Sequence, residues 1–184
     1  MLASAKDGSG RVGVVIDNGC LFRGGKEKAI RQQILEADLL ECVILTPEKL
    51  FYNTGAPGAL LFFNKNKPSE RKGNVIIINA SQEFEKHPDV RKLNILADAN
   101  IEKITKAAHS SQDIEGFVRI VPLAEIAKND YNLNVTLYVS PQKDVEEVDI
   151  PATWSAIRSV EVELQTVDKE IAGYLKEIGY GGGN

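Results

Sequence analysis

The chain has 184 residues, of which 43% are hydrophobic and 26% charged, and its formal net charge at pH 7 is −4. This length suffices for one domain with a substantial core plus an appended segment. The negative charge excludes nucleic-acid binding through a bulk positive field, so any contact with DNA must be local. Every apolar run is shorter than about ten residues and the N-terminus lacks the zones of a signal peptide, so we expect a soluble cytoplasmic protein.

The first strong pattern is a β-branched run, Val12 to Ile16, which is ended by the turn Asp17-Asn18-Gly19. A continuous run of this kind predicts a strand that is buried on both faces of a parallel sheet. A second buried strand is predicted at Glu41 to Leu45, with a helix between the two from the pair Gly24-Gly25 to about Ala37. Because a strand, a crossover helix and a strand follow one another closely, the predicted fold class is α/β.

Two groups of side chains near these elements are predicted to be buried. Ile30, Ile34 and Ala37 recur at helical spacing, so this stripe of the helix is expected to face the sheet. Cys20 and Cys42 lie at or beside the predicted strands, without the spacing of metal ligands. We therefore expect them to be packed, reduced thiols and expect no metal site.

The next two predicted strands are Ala59 to Asn64 and Asn74 to Asn79, separated by the basic stretch Lys65 to Lys72. This stretch is too short for a crossover helix, so the two strands should pair antiparallel, or the second should leave the main sheet. The sheet is therefore expected to be mixed. We interpret the basic stretch as a solvated loop.

The segment that follows alternates between irregular and regular patterns. Ser81 to Arg91 is polar and interrupted by proline, which predicts a surface excursion. A helix is predicted from Asp98 to Ala108 and a strand from Phe117 to Val121.

The last part of the chain has a different pattern, in which apolar residues alternate three and four apart, as in a heptad seam. These residues are Ile157, Val160, Leu164, Val167, Ile171, Tyr174 and Ile178. We predict one domain over residues 1–140, an acidic linker over 141–152 and a heptad helix over 153–180, which the glycine-rich tail ends. An isolated helix needs a partner for its apolar stripe. Folding back on its own domain and docking on another chain or an absent domain both remain open.

Ligand sites of α/β sheets lie beyond the carboxyl ends of the strands. The sequence contains no GxGxxG, P-loop, HExxH or serine nucleophile elbow at these positions. The predicted strands are followed instead by Phe22-Arg23 and by the loop Phe51 to Gly58. Aromatic side chains there can stack on a base turned out of a duplex, with Arg23 on a phosphate, or they can cap the core of the sheet.

Four blocks in this order resemble the later half of the modification subunit of type I restriction-modification systems: Val14–Gly25, Leu50–Pro57, Leu61–Lys67 and Glu125–Asn134. Subunits of this family are N6-adenine DNA methyltransferases. The resemblance covers roughly residues 10 to 140. It implies the later half of a Rossmann-like methyltransferase mixed sheet, followed by a long C-terminal helix.

The resemblance also implies how the family performs its reaction. The family binds S-adenosylmethionine through a glycine-containing loop after its first strand, and it uses an Asn-Pro-Pro-Phe or Asn-Pro-Pro-Tyr motif after its fourth strand. Neither motif occurs in this sequence. We therefore expect a fragment of the methyltransferase subunit that is inactive alone, contains no catalytic residue and does not bind S-adenosylmethionine.

The blocks that match strand ends of the family supply candidate residues for the cleft that receives DNA and the flipped base. These are Asn18, Phe22, Arg23, Gly24, Gly25, Tyr52, Asn53, Thr54 and Gly55. The resemblance implies DNA, the specificity subunit and the restriction subunit as partners, with the C-terminal helix docking on the specificity subunit. The alternative function is a methyltransferase-like scaffold that has no catalytic activity and serves interactions only.

Overall fold

The computed structural model describes residues 1–110, 112–141 and 149–180. The chain divides into two compact units, Met1–Gln142 and Lys143–Asn184. Most of the predicted linker and the glycine-rich tail lie outside the described residues, so the predicted domain boundaries stay a prediction.

The first unit is α/β, as predicted, and most of its strands belong to one sheet. The strands are β1 Arg11–Asp17, β2 Leu40–Leu45, β3 Gly58–Asn64, β4 Asn74–Asn79, β5 Glu85–Lys86, β6 Asn94–Ile95 and β7 Val118–Pro122. The helices of this unit are α1 Lys26–Glu36, α2 Asp98–His109, α3 Leu123–Lys128 and α4 Val135–Tyr138. The described part of the second unit contains α5, Ile150–Glu177.

The main sheet has the order β1-β3-β2-β4-β7, and β5 pairs with β6 in a separate small ladder. Strands β2 and β4 are parallel, whereas β3 is antiparallel to both β1 and β2, and β7 is antiparallel to β4. The expectation of a mixed sheet is therefore confirmed.

Both alternatives expected for β3 and β4 are wrong: they do not pair, because β2 lies between them, and β4 stays in the main sheet, where it pairs with β2. The segment that joins β3 to β4 includes a short 3-10 turn at Ser69–Arg71. Crossing one intervening strand requires a span of only about 10 Å, since neighbouring strands lie about 4.8 Å apart. A connection too short for a helix is thus long enough to pass over a strand.

The prediction that the first strand is buried on both faces is also wrong. Among the described residues β1 pairs with β3 alone and forms the edge of the sheet. Val15 is 60% exposed. A β-branched run indicates that the residues favour an extended backbone. It does not indicate how many strands lie beside them, and an edge strand is less buried than a central one.

Helices cover both faces of the central strands, and two hydrophobic clusters result. One cluster includes Leu35 of α1, Val43, Ile77, Ile126 of α3 and Val135 of α4. The other includes Ile44, Ile76, Ile78 and, from α2, Ile104 and Ala107.

The predicted inward stripe of α1 requires correction. Ile34 is partly buried and packs against the core, as predicted, but Ile30 is 57% exposed and Ala37 is exposed, whereas Arg31 and Leu35 are buried. Arg31 can belong to the buried stripe because its guanidinium finds hydrogen-bond acceptors inside the unit. A buried cation is tolerable only under this condition.

The basic stretch between β3 and β4 is not a solvated loop. Lys65 pairs with Asp7 at 2.6 Å, and Arg71 pairs with Glu41 at 3.5 Å. The side chain of Lys67 is 2% exposed and its Nζ lies 2.5 Å from Asp38. The prediction failed because each acid is distant in sequence from the cation that it neutralises.

Helix α5 has the capping expected from its sequence. The carboxylate of Asp149 accepts a hydrogen bond from the backbone N–H of Ala152 at 2.9 Å, and Pro151 lies in the first turn. Gly179, with φ +82°, follows its last turn. This confirms the expected long C-terminal helix. In the described part of the chain, no helix combines the length and apolar character required to cross a membrane.

Candidate functional site

The loops after β1 and β2 leave the sheet at the same end of the strands. Asp17 at the end of β1 lies opposite Gly58, and Leu45 at the end of β2 lies opposite Ala59. The carboxyl end of β4 lies at the same end of the sheet, since Leu45 is also opposite Asn79. The predicted candidate loops therefore start from one side of the sheet.

The first loop is held in shape by Arg31, which sequence reasoning did not single out. Its guanidinium donates hydrogen bonds to the carbonyl oxygens of Cys20 at 2.7 Å, Arg23 at 2.8 Å and Tyr131 at 3.1 Å. Burial lowers the pKa of Arg31. The sequence could have indicated this role of Arg31, because an arginine on the sheet-facing stripe of a short helix needs fixed hydrogen-bond acceptors.

Arg23 is folded back on its own loop. Its Nη2 lies 2.7 Å from Oδ2 of Asp17, and Glu27 is 3.9 Å from Nη1. A Cβ at Gly19 would lie 2.5 Å from this guanidinium, so a larger residue there would displace the end of the Arg23 side chain. Arg23 is still half-exposed, but its charge is already compensated.

The other predicted residues of this loop have different environments. Phe22 and the pair Gly24-Gly25 are exposed, and Gly25 has φ +66° at the N-cap of α1. Asn18 presents a buried side-chain oxygen that accepts no hydrogen bond from the described residues. Such an oxygen is costly unless a donor reaches it.

The second loop has a fixed base and an exposed tip. Thr46 Oγ1 donates to the carbonyl of Gly58 and accepts from its N–H, both at 3.0 Å. The ring of Phe51 lies so close to Gly58 that an added Cβ would be 2.6 Å from it. Phe51 therefore caps the sheet, whereas Tyr52 is 79% exposed and Asn53 to Gly55 project with it.

A small cleft of about 330 Å³ separates the end of β1 from the second loop. Its lining residues are Val15, Ile16, Asp17, Phe51, Thr54, Ala56, Pro57 and Gly58. Asp17, which pairs with Arg23 of the first loop, is part of this lining.

A wider concavity of about 760 Å³ lies on the other side of the second loop. We call it the basic depression; its lining residues are Lys49, Tyr52, Asn53, Thr54, Gly55, Lys86, Arg91, Lys92 and Leu93. Four of these residues are basic and none is acidic. It therefore brings together an exposed aromatic ring and several cations in a chain whose net charge is negative.

The β5–β6 ladder attaches the basic side chains to the second loop. The backbone N–H of Asn94 donates to the carbonyl of Lys49 at 2.9 Å, and its side-chain amide donates to the backbone carbonyl of Glu48 at 2.7 Å. Lys86 Nζ donates to Oδ1 of Asn94 at 3.1 Å. Sequence reasoning missed Lys49, Lys86, Arg91 and Lys92, because a polar segment with two-residue strands has no strand pattern.

A third concavity, of about 750 Å³, lies on the face of the sheet that α2 partly covers. Its lining is largely apolar and includes Leu60, Phe62 and Ile104. Its apolar lining differs from the basic lining beside the second loop, and we assign no site to it. Within residues 1–110, 112–141 and 149–180, no cluster of His, Cys, Asp and Glu has the geometry of a metal site.

Comparison with known proteins identifies the family of this chain. The sequence model of N-6 DNA Methylase matches residues 1–147. The chain belongs to the N-6 DNA methylase family. It is 54% identical over 168 residues to the type I restriction enzyme MjaVII methylase subunit of Methanocaldococcus jannaschii, covering 91% of this chain and 29% of that protein.

More distant relatives have the same description. The type I restriction enzyme MpnII methylase subunit of Mycoplasma pneumoniae is 30% identical over 170 residues, covering 91% of this chain and 30% of that protein. The crystal structure of a type I restriction-modification methyltransferase subunit from Streptococcus thermophilus superimposes with a TM-score of 0.65 at 40% identity. This superposition covers 71% of this chain and 27% of that one. The chain thus spans less than a third of these relatives, and the predicted family is confirmed.

Proposed function

We propose that this chain is the later part of a type I modification methyltransferase that transfers a methyl group from S-adenosylmethionine to adenine N6 in DNA. In this proposal it contributes loops that contact DNA and a helix that docks a partner subunit, and it is inactive alone. The observation that carries the proposal is the basic depression around Tyr52, in a member of the N-6 DNA methylase family.

The family implies S-adenosylmethionine as the methyl donor, but the residues present do not fit a site for it. At the carboxyl end of β1 the carboxylate of Asp17 is paired with Arg23. The sequence also lacks an Asn-Pro-Pro motif. We therefore derive no reaction step through the cofactor and assign no catalytic residue to this chain.

The chemistry of the basic depression suits the backbone and bases of DNA. Lys49, Lys86, Arg91 and Lys92 provide cations for phosphate oxygens, which position a protein on a duplex. Tyr52 offers an exposed aromatic face on which a base turned out of the helix can stack. On the first loop, Phe22 is exposed and is a candidate for a further contact with the base, whereas Asn18 can contribute only if the loop moves, because its Oδ1 is buried.

We assign α5 the role of docking on the specificity subunit, with the restriction subunit joining the same assembly. The seam of α5 is exposed along its length, which a helix of this composition does not sustain without a partner. Leu164→Asp with Ile171→Asp should abolish association with the specificity subunit, measured by size-exclusion chromatography. An unchanged complex would remove this assignment.

The DNA contact is tested by titrating a labelled duplex oligonucleotide with the chain and following fluorescence anisotropy. Lys86→Glu/Arg91→Glu/Lys92→Glu should weaken binding roughly tenfold to a hundredfold at about 50 mM salt and reduce the salt slope by up to about three. The matched control reverses the three basic residues of α5, Arg158, Lys169 and Lys176. Equal losses in the two triple variants would contradict a local site.

The contribution of Tyr52 is tested with single-stranded and mismatched DNA, in which a base is already unstacked. Tyr52→Ala should weaken these complexes by about 1–3 kcal/mol and Tyr52→Phe should not, because stacking requires only the ring.

Calorimetry with S-adenosylmethionine should show no binding by the isolated chain. Micromolar affinity would contradict the proposed division of labour, and a chain that docks its partner but binds no DNA would favour the scaffold function.

A further inference from the structure

The seam of α5 carries information about the partner that covers it. In heptad notation, position a holds Ile157, Leu164, Ile171 and Ile178, and position d holds Val160, Val167 and Tyr174. These side chains are 46% to 67% exposed. The seam continues for about three heptads, the length over which a pattern of this type specifies a helical partner.

The acidic residues of α5 all border the seam. The helix contains five, at position e Glu161 and Asp168, and at position g Glu163, Glu170 and Glu177. Its three basic residues lie away from the seam, Arg158 at position b and Lys169 and Lys176 at position f. Arg158 reaches the e border, where its Nη1 is 3.0 Å from Glu161, but position g holds no basic residue.

Residues at e and g lie beside the partner helix in a coiled coil, so their charges select the partner. Two parallel copies of α5 would place Glu163 of each beside Asp168 of the other. Two antiparallel copies would place the g borders against each other and the e borders against each other. Both arrangements bring like charges together, and this disfavours a second copy as the occupant.

We propose that α5 docks against a helix of another protein whose apolar seam is bordered by lysine and arginine. This inference rests on the proposed docking role of α5 and is independent of the proposed methyl transfer. The exposed apolar seam supplies the attraction, and the acidic borders restrict it to a partner with basic borders. The charges of the two borders thus disfavour self-association while the seam stays available.

The test uses the full 184-residue chain and two labelled synthetic helices that share one Ile/Leu seam. One helix carries lysine at every e and g position and the other carries glutamate. By fluorescence anisotropy the lysine helix should bind about tenfold more tightly at about 50 mM salt, and the difference should shrink at about 500 mM. Sedimentation equilibrium should show a monomeric chain.

Variants separate the seam from its borders. Glu163→Lys/Asp168→Lys/Glu170→Lys should reverse the preference between the two helices, whereas Lys169→Glu/Lys176→Glu should leave the preference unchanged. Leu164→Asp/Ile171→Asp should abolish binding of both helices. Thermal unfolding checks that the sheet unit is intact in each variant.

Equal affinity for the two synthetic helices would overturn the inference and leave the docking role standing. A wild-type dimer that Leu164→Asp/Ile171→Asp dissociates would identify a second copy as the occupant and overturn it as well. If neither helix binds, the inference is again wrong. None of these results bears on DNA binding, which the basic depression variants test separately.

Discussion

Strands β1 and β4 have similar compositions but occupy different places in the same sheet. β4 pairs with β2 on one side and β7 on the other, and its residues Val75 to Ile78 are at most 3% exposed. Among the described residues β1 pairs with β3 alone, and Val15 is 60% exposed. The difference teaches that the same apolar run forms a core in one place and an open edge in another, according to its neighbours.

The largest expected effect distinguishes these two strands directly. Ile77→Ala in β4 should lower the free energy of unfolding by about 3 kcal/mol, because it leaves a cavity in a fully buried cluster. Val15→Ala in β1 should lower it by less than about 0.5 kcal/mol, since the side chain is largely solvated. Urea unfolding of the isolated chain measures both. Similar losses would mean that β1 is covered in solution.

The connection from β3 to β4 sharpens the comparison, because it crosses β2 with a buried cation. Lys67 Nζ donates to Asp38 and to the carbonyl of Asn74, at 2.5 and 2.8 Å. Lys67→Met should cost about 2 kcal/mol in urea unfolding, since it leaves acceptors unpaired in a buried position.

A matched substitution lies two residues earlier. Lys65 also forms an ion pair, but the side chain of its partner Asp7 is 98% exposed. Lys65→Met should therefore cost less than Lys67→Met, about 1 kcal/mol or below, because Asp7 stays solvated and only the carbonyl of Ala5 loses a donor, at 2.7 Å. If the two substitutions cost the same, burial of Lys67 does not contribute to the stability of the crossing.

The sequence was sufficient for the fold class because the apolar runs of β2 and β4 and the periodicity of α5 are strong local signals. It was insufficient for strand order, since a connection of nine residues is compatible with pairing or with crossing a strand. It also failed for Arg31 and Lys67, whose burial depends on acceptors from other elements. Local hydropathy does not contain these pairings.

The candidate site was predictable in part. The positions of the two loops follow from the carboxyl ends of their strands, which α/β topology brings to the same end of the sheet. The basic depression was not predictable, because Lys49 and Lys86 are brought together by the β5–β6 ladder rather than by proximity in sequence. The roles of the nine predicted site residues stay a prediction.

The smallest expected effect contrasts the thiols near the two kinds of strand. Burial raises the pKa of Cys42, in β2, from its ordinary value of 9.0 to about 12, and the pKa of Cys20, after β1, is also raised, first by partial burial and then by Asp17. Because the unfolded chain releases the Cys42 proton near pH 9 and the folded chain retains it, this contribution to stability is complete below pH 9 and decreases as the pH rises towards 12. By about pH 10 the loss amounts to about 1.4 kcal/mol.

Cys42→Val removes the titrating group and keeps a buried apolar side chain of similar size. Between about pH 8 and pH 10 its free energy of unfolding should therefore fall by about 1.4 kcal/mol less than that of the wild type. Cys20→Val is the matched control and should follow the wild-type curve more closely, because Cys20 is only partly buried. Taking differences between variants cancels the titration of tyrosine and lysine. Parallel curves for Cys42→Val and the wild type would show that solvent reaches β2 as readily as it reaches the edge at β1.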